Sequence, residues 1–498
     1  MSLLFVNLDD TYMLDVASAL YSKGSVAASV SSKPAVVRDV VGSDLEVINS
    51  RFLYRAEDVA SALSSNNWSI PSRMQLIELL EAERYFMTMT DRTTYRPVSV
   101  RERKRLFRNL VCAWLGWFSQ RPEIGTAFFE STPHMGFDIV IFHIAKLLGI
   151  RTLILNRTLL ENRVFLSTDY RFSSLIENAA DLATLAQERK GDELKALISL
   201  DNPWTTLSQK KNAEAREPDV TRLRRWIMLC IAPLLISKAV IIKLFQGLRF
   251  RTPFAGNGWI HPIRQYYYNW KMREYVNSLR EKYRMRSIAP NLSVPYVYFA
   301  AHYQPERTSQ PEALEYEDQF LAIGTLARAL PPGWRIYMKE HPRQFVKSPP
   351  GANRRHARTE LDYDDLAIFG NVELIDSNID SAELIRNARI CATLTGSTGW
   401  EALKEGKVAF VFGPCWYSEC DAVFLIDSED TAREAITNAN QIAPSEVLSR
   451  LNFFIDSISP KLILGTTGGV FSSNTMNSYE QLVTGLCEGI LAALSAQK

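Results

Sequence analysis

Arg335-Ile336-Tyr337-Met338 running into Lys339-Glu340-His341-Pro342, and Ile390-Cys391-Ala392-Thr393-Leu394 running into Thr395-Gly396-Ser397-Thr398-Gly399-Trp400-Glu401-Ala402-Leu403, decide how this chain is read. Each is an apolar β-type run that stops in polar residues marked by Pro or Gly. The second opens directly into a helical pattern. In an open parallel sheet, ligands sit at the carboxyl ends of the strands. A helix N-terminus preceded by Gly and hydroxyl residues offers free N–H groups to an anion. A Lys and a His on a neighbouring strand end complete a seat for a nucleotide phosphate.

The same alternation extends in both directions. After these motifs, 408–412 is strand-like. Before them, 296–301 is strand-like, and 316–330 is helical with Phe320, Ile323, Ala327 and Leu330 on one face. Residues 372–375 form a strand, and Asp380 with Glu383 caps the helix that follows. Towards the N-terminus, strand patterns at 3–8 and 151–155 alternate with helical ones at 13–21 and 137–148. Repeated βα units make a parallel sheet. The expected fold is α/β, with two Rossmann-like domains facing across a cleft. Residues 1–285 are expected to form the first domain, with a helical, basic-flanked apolar insertion near 217–251. Residues 286–498 are expected to form the second, with a final helix, 478–494, free to pack back on the first domain.

Composition narrows the function classes. A chain of 498 residues is too long for one core, and 46% hydrophobic residues suffice to build several. Its 57 basic and 55 acidic residues leave a formal charge of +2, which gives no reason to expect nucleic-acid binding. The six cysteines are scattered, without zinc-ligand spacing, and read as free thiols of a reducing cytosol. The N-terminus meets Asp9-Asp10 at once and reads as a first strand, not a signal peptide. The apolar run 226–245 contains Pro233, Lys238 and Lys243 and is flanked by arginines. It reads as a buried helix pair, as a helix lying in the face of an anionic membrane, or as a membrane span, against which the two lysines and Pro233 argue.

Each motif also has an ordinary structural explanation. Thr398 with Glu401 forms a capping-box pattern that needs no ligand. Lys339–His341 could be a plain strand-ending loop. Gly396 and Gly399 on either side of Ser397-Thr398 favour a ligand, because glycine lets one approach the backbone closely. In the first domain, Glu130 ends an apolar run. His134 and Asp138 stand one turn apart if a helix begins near Pro133, which makes these three the candidates for acid/base chemistry. Thr132 as a simple helix cap is the alternative.

At these motifs the chain resembles the capsule-polysaccharide biosynthesis proteins related to Kdo transferases, and the wider group of CMP-sugar transferases with a GT-B fold. The resemblance lies in Gln304-Pro305-Glu306, in Lys339-Glu340-His341-Pro342, and in Thr395-Gly396-Ser397-Thr398-Gly399 followed by Glu401-Ala402-Leu403. Trp416-Tyr417 extends it, and Glu130 with Pro133-His134 supports it. It implies a cytoplasmic, membrane-associated glycosyltransferase in capsule or lipopolysaccharide biosynthesis, using a CMP-linked, Kdo- or sialic-acid-like donor and a glycan or glycolipid acceptor. Gln304, Glu306, Lys339, His341, Thr395, Gly396, Ser397, Thr398, Glu401 and Tyr417 would bind substrate, and Glu130, His134 and Asp138 would be catalytic. No metal or other cofactor is expected, since one phosphate carries little charge to neutralise. A UDP-sugar 2-epimerase-like isomerase and a non-catalytic nucleotide- or glycan-binding member of a polysaccharide assembly stand as alternatives.

Overall fold

The fold was analysed in a computed structural model that describes residues 2–63, 68–92, 98–171, 262–346, 358–467 and 477–495. Strands β1 (Ser2–Val6), β2 (Val26–Ser31), β3 (Glu46–Asn49), β4 (Ile124–Phe129), β5 (Arg151–Arg157) and β6 (Arg163–Ser167) form one sheet with β13 (Ile463–Leu464). The second sheet holds β7 (Tyr296–Ala300), β8 (Arg335–Lys339), β9 (Val372–Leu374), β10 (Ile390–Thr393), β11 (Val408–Val411) and β12 (Val423–Leu425).

The second sheet is parallel throughout, in the order β12-β11-β10-β7-β8-β9. This is the doubly wound order, and its direction of winding reverses between β7 and β10. The first sheet repeats that order in β3-β2-β1-β4-β5, then adds β6 and β13 antiparallel at one edge. Its reversal lies between β1 and β4. Strands buried on both faces must be apolar at every position, and Leu3, Leu4, Phe5, Val6, Tyr296, Val297, Tyr298 and Phe299 are all buried. That continuity made these strands readable.

The two sheets are joined by more than the chain. Leu160 and Phe165, around the β5–β6 turn, are buried in the same apolar cluster as Val297, Ile336 and Leu394. The helix Tyr479–Ser495 returns to the first sheet, where Leu482, Leu486 and Ile490 are buried with Leu3, Phe5 and Met13. Among the described residues, no helix is long and apolar enough to cross a membrane. The insertion near 217–251, with its run 226–245, lies outside the described residues.

Candidate active site

Strand register sets the geometry. Ala300 pairs with Lys339, and Phe299 with Ala392, so β7, β8 and β10 end together at one edge. The loops beyond them diverge at the winding reversal, and a cleft of about 980 Å³ opens there between the two sheets. Its second-sheet wall includes Glu306, Lys339, His341, Thr395, Gly396, Ser397, Thr398, Glu401 and Tyr417. The first-sheet wall includes Thr132, Asn156, Arg157 and Ser167.

The helix Ser397–Lys404 starts at the cleft with Gly396 as its N-cap, and no side chain caps it. This corrects the capping-box expectation for Thr398 and Glu401. Glu401 instead accepts the Ser397 hydroxyl at 3.2 Å, and burial holds its carboxyl above the usual range, against that hydrogen bond. A helix start leaves its first N–H groups without intrahelical partners, and a ligand anion can meet them. Gly396 is required here by space. A Cβ would come within 2.8 Å of Thr393 Oγ1 and 3.0 Å of His302 Nε2.

His302 ties the two sides of the reversal together. Its Nε2 accepts the Thr395 N–H at 3.3 Å and lies 2.9 Å from Thr393 Oγ1. The ring proton therefore sits on Nδ1, 3.1 Å from Thr308 Oγ1. Burial, aided by His341 and Arg358, lowers its pKa to about 3, so it is a neutral spacer. Nothing in the local sequence marks this role. On the far side of the helix start, the buried Tyr417 donates its hydroxyl to the Gly396 carbonyl. It holds the loop from behind.

The Lys339–Pro342 segment rests on a buried polar network. Arg358 and Glu340 are both removed from water and pair at 2.8 Å (Nε to Oε2). Glu340 also accepts the Tyr363 hydroxyl at 2.9 Å and the His341 N–H at 3.0 Å. Burial works against the Arg358 charge, but Glu340 more than offsets it and raises its pKa. Arg358 reaches Gln304 Oε1 at 2.5 Å, and Gln304 Oε1 also accepts from Gln319 Nε2 at 2.8 Å. Gln304, expected to bind substrate, is thus buried behind the cleft as a joint between two loops. Lys339 is nearly buried too, with its ammonium 2.9 Å from Ser381 Oγ. His341 accepts the Arg343 N–H on Nδ1 at 3.2 Å, which leaves Nε2 as its ring donor. Its ring lies 5.9 Å from that of Tyr303.

The first-domain candidates take different positions. The helix begins at Phe137, not near Pro133, after Gly136 at φ 94°. The reason is Asp138, whose carboxylate accepts the N–H groups of His134, Met135 and Ile139 at 2.8–2.9 Å, and Asn7 Nδ2 at 3.1 Å. It is fully buried and serves as a brace, which corrects its reading as an acid or base. His134 is not on the helix, and its Nδ1 lies 2.7 Å from the Thr132 carbonyl. Glu130 sits just beyond β4 at the first sheet's reversal. Burial first, then the charges of Asp9, Asp10 and Asp138, push its pKa up to about 8. None of these three lines the cleft, but Thr132 does, and it donates to Glu312 Oε1 at 2.7 Å across the two sheets.

The cleft also contains cations that sequence reading passed over. Arg157 ends β5, and burial and the nearby Arg307 lower its pKa to about 10, against the pull of Glu312 and Glu306. Arg307 pairs with Glu312 at 3.0 Å. The available signal was a basic residue closing the apolar run Thr152-Leu153-Ile154-Leu155. Among the described residues, no group of three or more His, Cys, Asp or Glu side chains is placed to hold a metal ion.

No protein-family model and no curated protein matches the chain. Likenesses to solved structures are remote. The beta Kdo 2,7 transferase KpsC of Thermosulfurimonas dismutans is 10% identical, over 79% of this chain and 90% of that one, at a TM-score of 0.29. UDP-GlcNAc 2-epimerase from Methanocaldococcus jannaschii is 10% identical, over 92% and 100%, at 0.23. The Candida albicans trehalose-6-phosphate phosphatase N-terminal domain is 10% identical, over 99% and 98%, at 0.28. Likenesses at this level carry no argument about fold or chemistry.

Proposed function

We propose that this chain is a glycosyltransferase that binds a nucleotide-activated sugar, CMP-linked, with its phosphate at the start of helix Ser397–Lys404. The observation that carries the reading is that uncapped helix start, which opens into the cleft at the winding reversal. An anion there meets N–H groups and the positive end of the helix dipole. His341 and Arg343 line the same cleft, and the His341 Nε2–H can donate to a phosphate oxygen. The motif resemblance at Lys339–Pro342 and Thr395–Gly399 supports the same assignment.

A CMP donor departs with a single phosphate. Fixed N–H groups and one imidazole can stabilise that charge as it develops, which is the efficient way to lower a barrier electrostatically. Donor chemistry without a divalent cation is part of the proposal, as is a glycan or glycolipid acceptor entering from the Arg157 side. Glu130 is the proposed acid/base group; since it stands just beyond β4, outside the cleft lining, the role requires the acceptor to reach past Thr132 to the first sheet's reversal. A pKa near 8 means it holds its proton at neutral pH and can exchange it, as general acid–base catalysis needs.

Incubating the chain with panels of CMP-sugars and UDP-sugars, and analysing products by mass spectrometry, tests the reading. Transfer to an acceptor or hydrolysis of a CMP-sugar supports it. Epimer formed from a UDP-sugar overturns it in favour of an isomerase. Binding without turnover leaves only a binding protein.

A further inference from the structure

The helix Arg73–Glu78 buries none of its side chains. Yet it carries Met74, Leu76 and Ile77, which are 64%, 47% and 49% exposed, and Ile70 and Leu80 on either side are 80% and 58% exposed. Short helices in proteins usually persist because an apolar face is packed. This one is held by a capping box between Ser72 and Gln75, at 3.3 and 2.9 Å, and turns its apolar side chains outward.

Exposed cations lie on it and on the adjoining helix. Helix Val100–Ser119 adjoins the segments on either side of it, through Ser69 N to Cys112 O at 3.1 Å and Lys104 to Glu83 at 3.2 Å. Between those ties its exposed charges are Arg105 and Arg108, and Arg73 is exposed on the short helix itself. Of the neighbouring carboxylates, Glu83 is paired with Lys104 and Glu81 with Arg171. Glu78 stays exposed.

We propose that this face docks on an anionic lipid bilayer. Aliphatic and Met side chains on one exposed turn, with exposed Arg73, Arg105 and Arg108 on this and the adjoining helix, fit the boundary between headgroups and acyl chains, where apolar burial and attraction to lipid phosphate act together. Trp68, partly exposed beside Ile70, suits the headgroup level. A protein partner would be expected to find aromatic anchors in a packed centre, whereas residues 73–78 include none and Trp68 lies outside the turn. The inference is independent of the reading of the cleft.

The test uses the full chain and co-sedimentation with vesicles of phosphatidylcholine alone or mixed with phosphatidylglycerol. The wild type is expected to pellet with the mixed vesicles and to be released by about 0.5 M salt, which screens the basic attraction. Met74→Glu with Ile77→Glu should retain about a tenth of that binding or less, with an unchanged circular dichroism spectrum. Arg105→Glu with Arg108→Glu should be released at lower salt. Equal binding by the apolar variant would overturn the proposal, as would absence of wild-type binding. Cross-links joining 73–80 to 172–261 in vesicle-free protein would also overturn it, since that segment begins beside Arg171 and would then be what covers the face.

Discussion

Glu340 and Arg358 form an ion pair with both side chains buried, and the loop carrying His341 is built on it. Replacing one member of such a pair leaves an uncompensated charge in the interior, at a cost of about 3–5 kcal/mol. Glu340→Gln is therefore expected to lower the denaturation midpoint clearly. Arg358→Met with Glu340→Gln should recover part of the loss, because no buried charge remains. Denaturant titration of the three proteins checks this. Equal stability of Glu340→Gln and wild type would show that the network does not hold the loop.

His341 and Ser397 line the same cleft but should contribute unequally to nucleotide binding. His341→Ala removes a donor to a charged phosphate, worth roughly 1.5–3 kcal/mol, or about ten- to a hundredfold in affinity. The Ser397 hydroxyl already donates to Glu401, and the helix N–H groups remain when it is lost. Ser397→Ala should cost no more than a neutral hydrogen bond, about 0.5–1.5 kcal/mol. Calorimetric titration with CMP measures both. Unchanged affinity in both variants would remove the phosphate from this site.

Gly396→Ala should be more damaging than Ser397→Ala, although it adds only a methyl group. That carbon would press on Thr393 Oγ1 and His302 Nε2, the two groups that align the ends of β7 and β10. Overpacking of this kind costs about 1–3 kcal/mol. The expected result is weakened CMP binding together with a lowered melting temperature. A variant with wild-type affinity would mean that the loop can shift without consequence.

The second sheet was largely legible in the sequence, for a physical reason. Its inner strands β7, β8, β10 and β11 are buried on both faces and read as largely apolar runs, which stop where the chain reaches the cleft. The strand ends at Lys339 and Thr393 were therefore visible without a structure. Contacts between distant residues were not. Nothing local marks Arg358 as the partner of Glu340, or Gln304 as a joint rather than a ligand contact. The first domain misled more. Thr132-Pro133 looks like a helix start, but Asp138 captures the N–H groups of His134 and Met135 and holds 131–136 out of the helix. The exposed turn at 73–78 left no periodic signal, because its apolar residues face no core.

Glu130 offers a prediction that separates its environment from its role. Burial and the neighbouring carboxylates raise its pKa from 4.5 to about 8. The folded chain thus holds this proton more tightly than the unfolded chain does. Its stabilising effect is complete below about pH 4.5 and is lost as pH rises through about 8. Glu130→Gln cannot titrate, so wild type should lose stability relative to the variant across that window, by an amount on the order of a few kcal/mol. His302 titrates in the opposite sense, from 6.5 to about 3, and loses its contribution as pH falls. It does so in both proteins and cancels in the comparison. Melting temperatures of wild type and variant from pH 4 to about 9 reveal the difference; parallel curves would mean that the carboxyl is not perturbed. The same variant tests the proposed catalytic role. It should reduce turnover about a hundredfold while sparing CMP binding, the usual contribution of general acid–base catalysis. If stability shifts with pH as expected but turnover is normal, Glu130 is a perturbed acid without a part in the reaction.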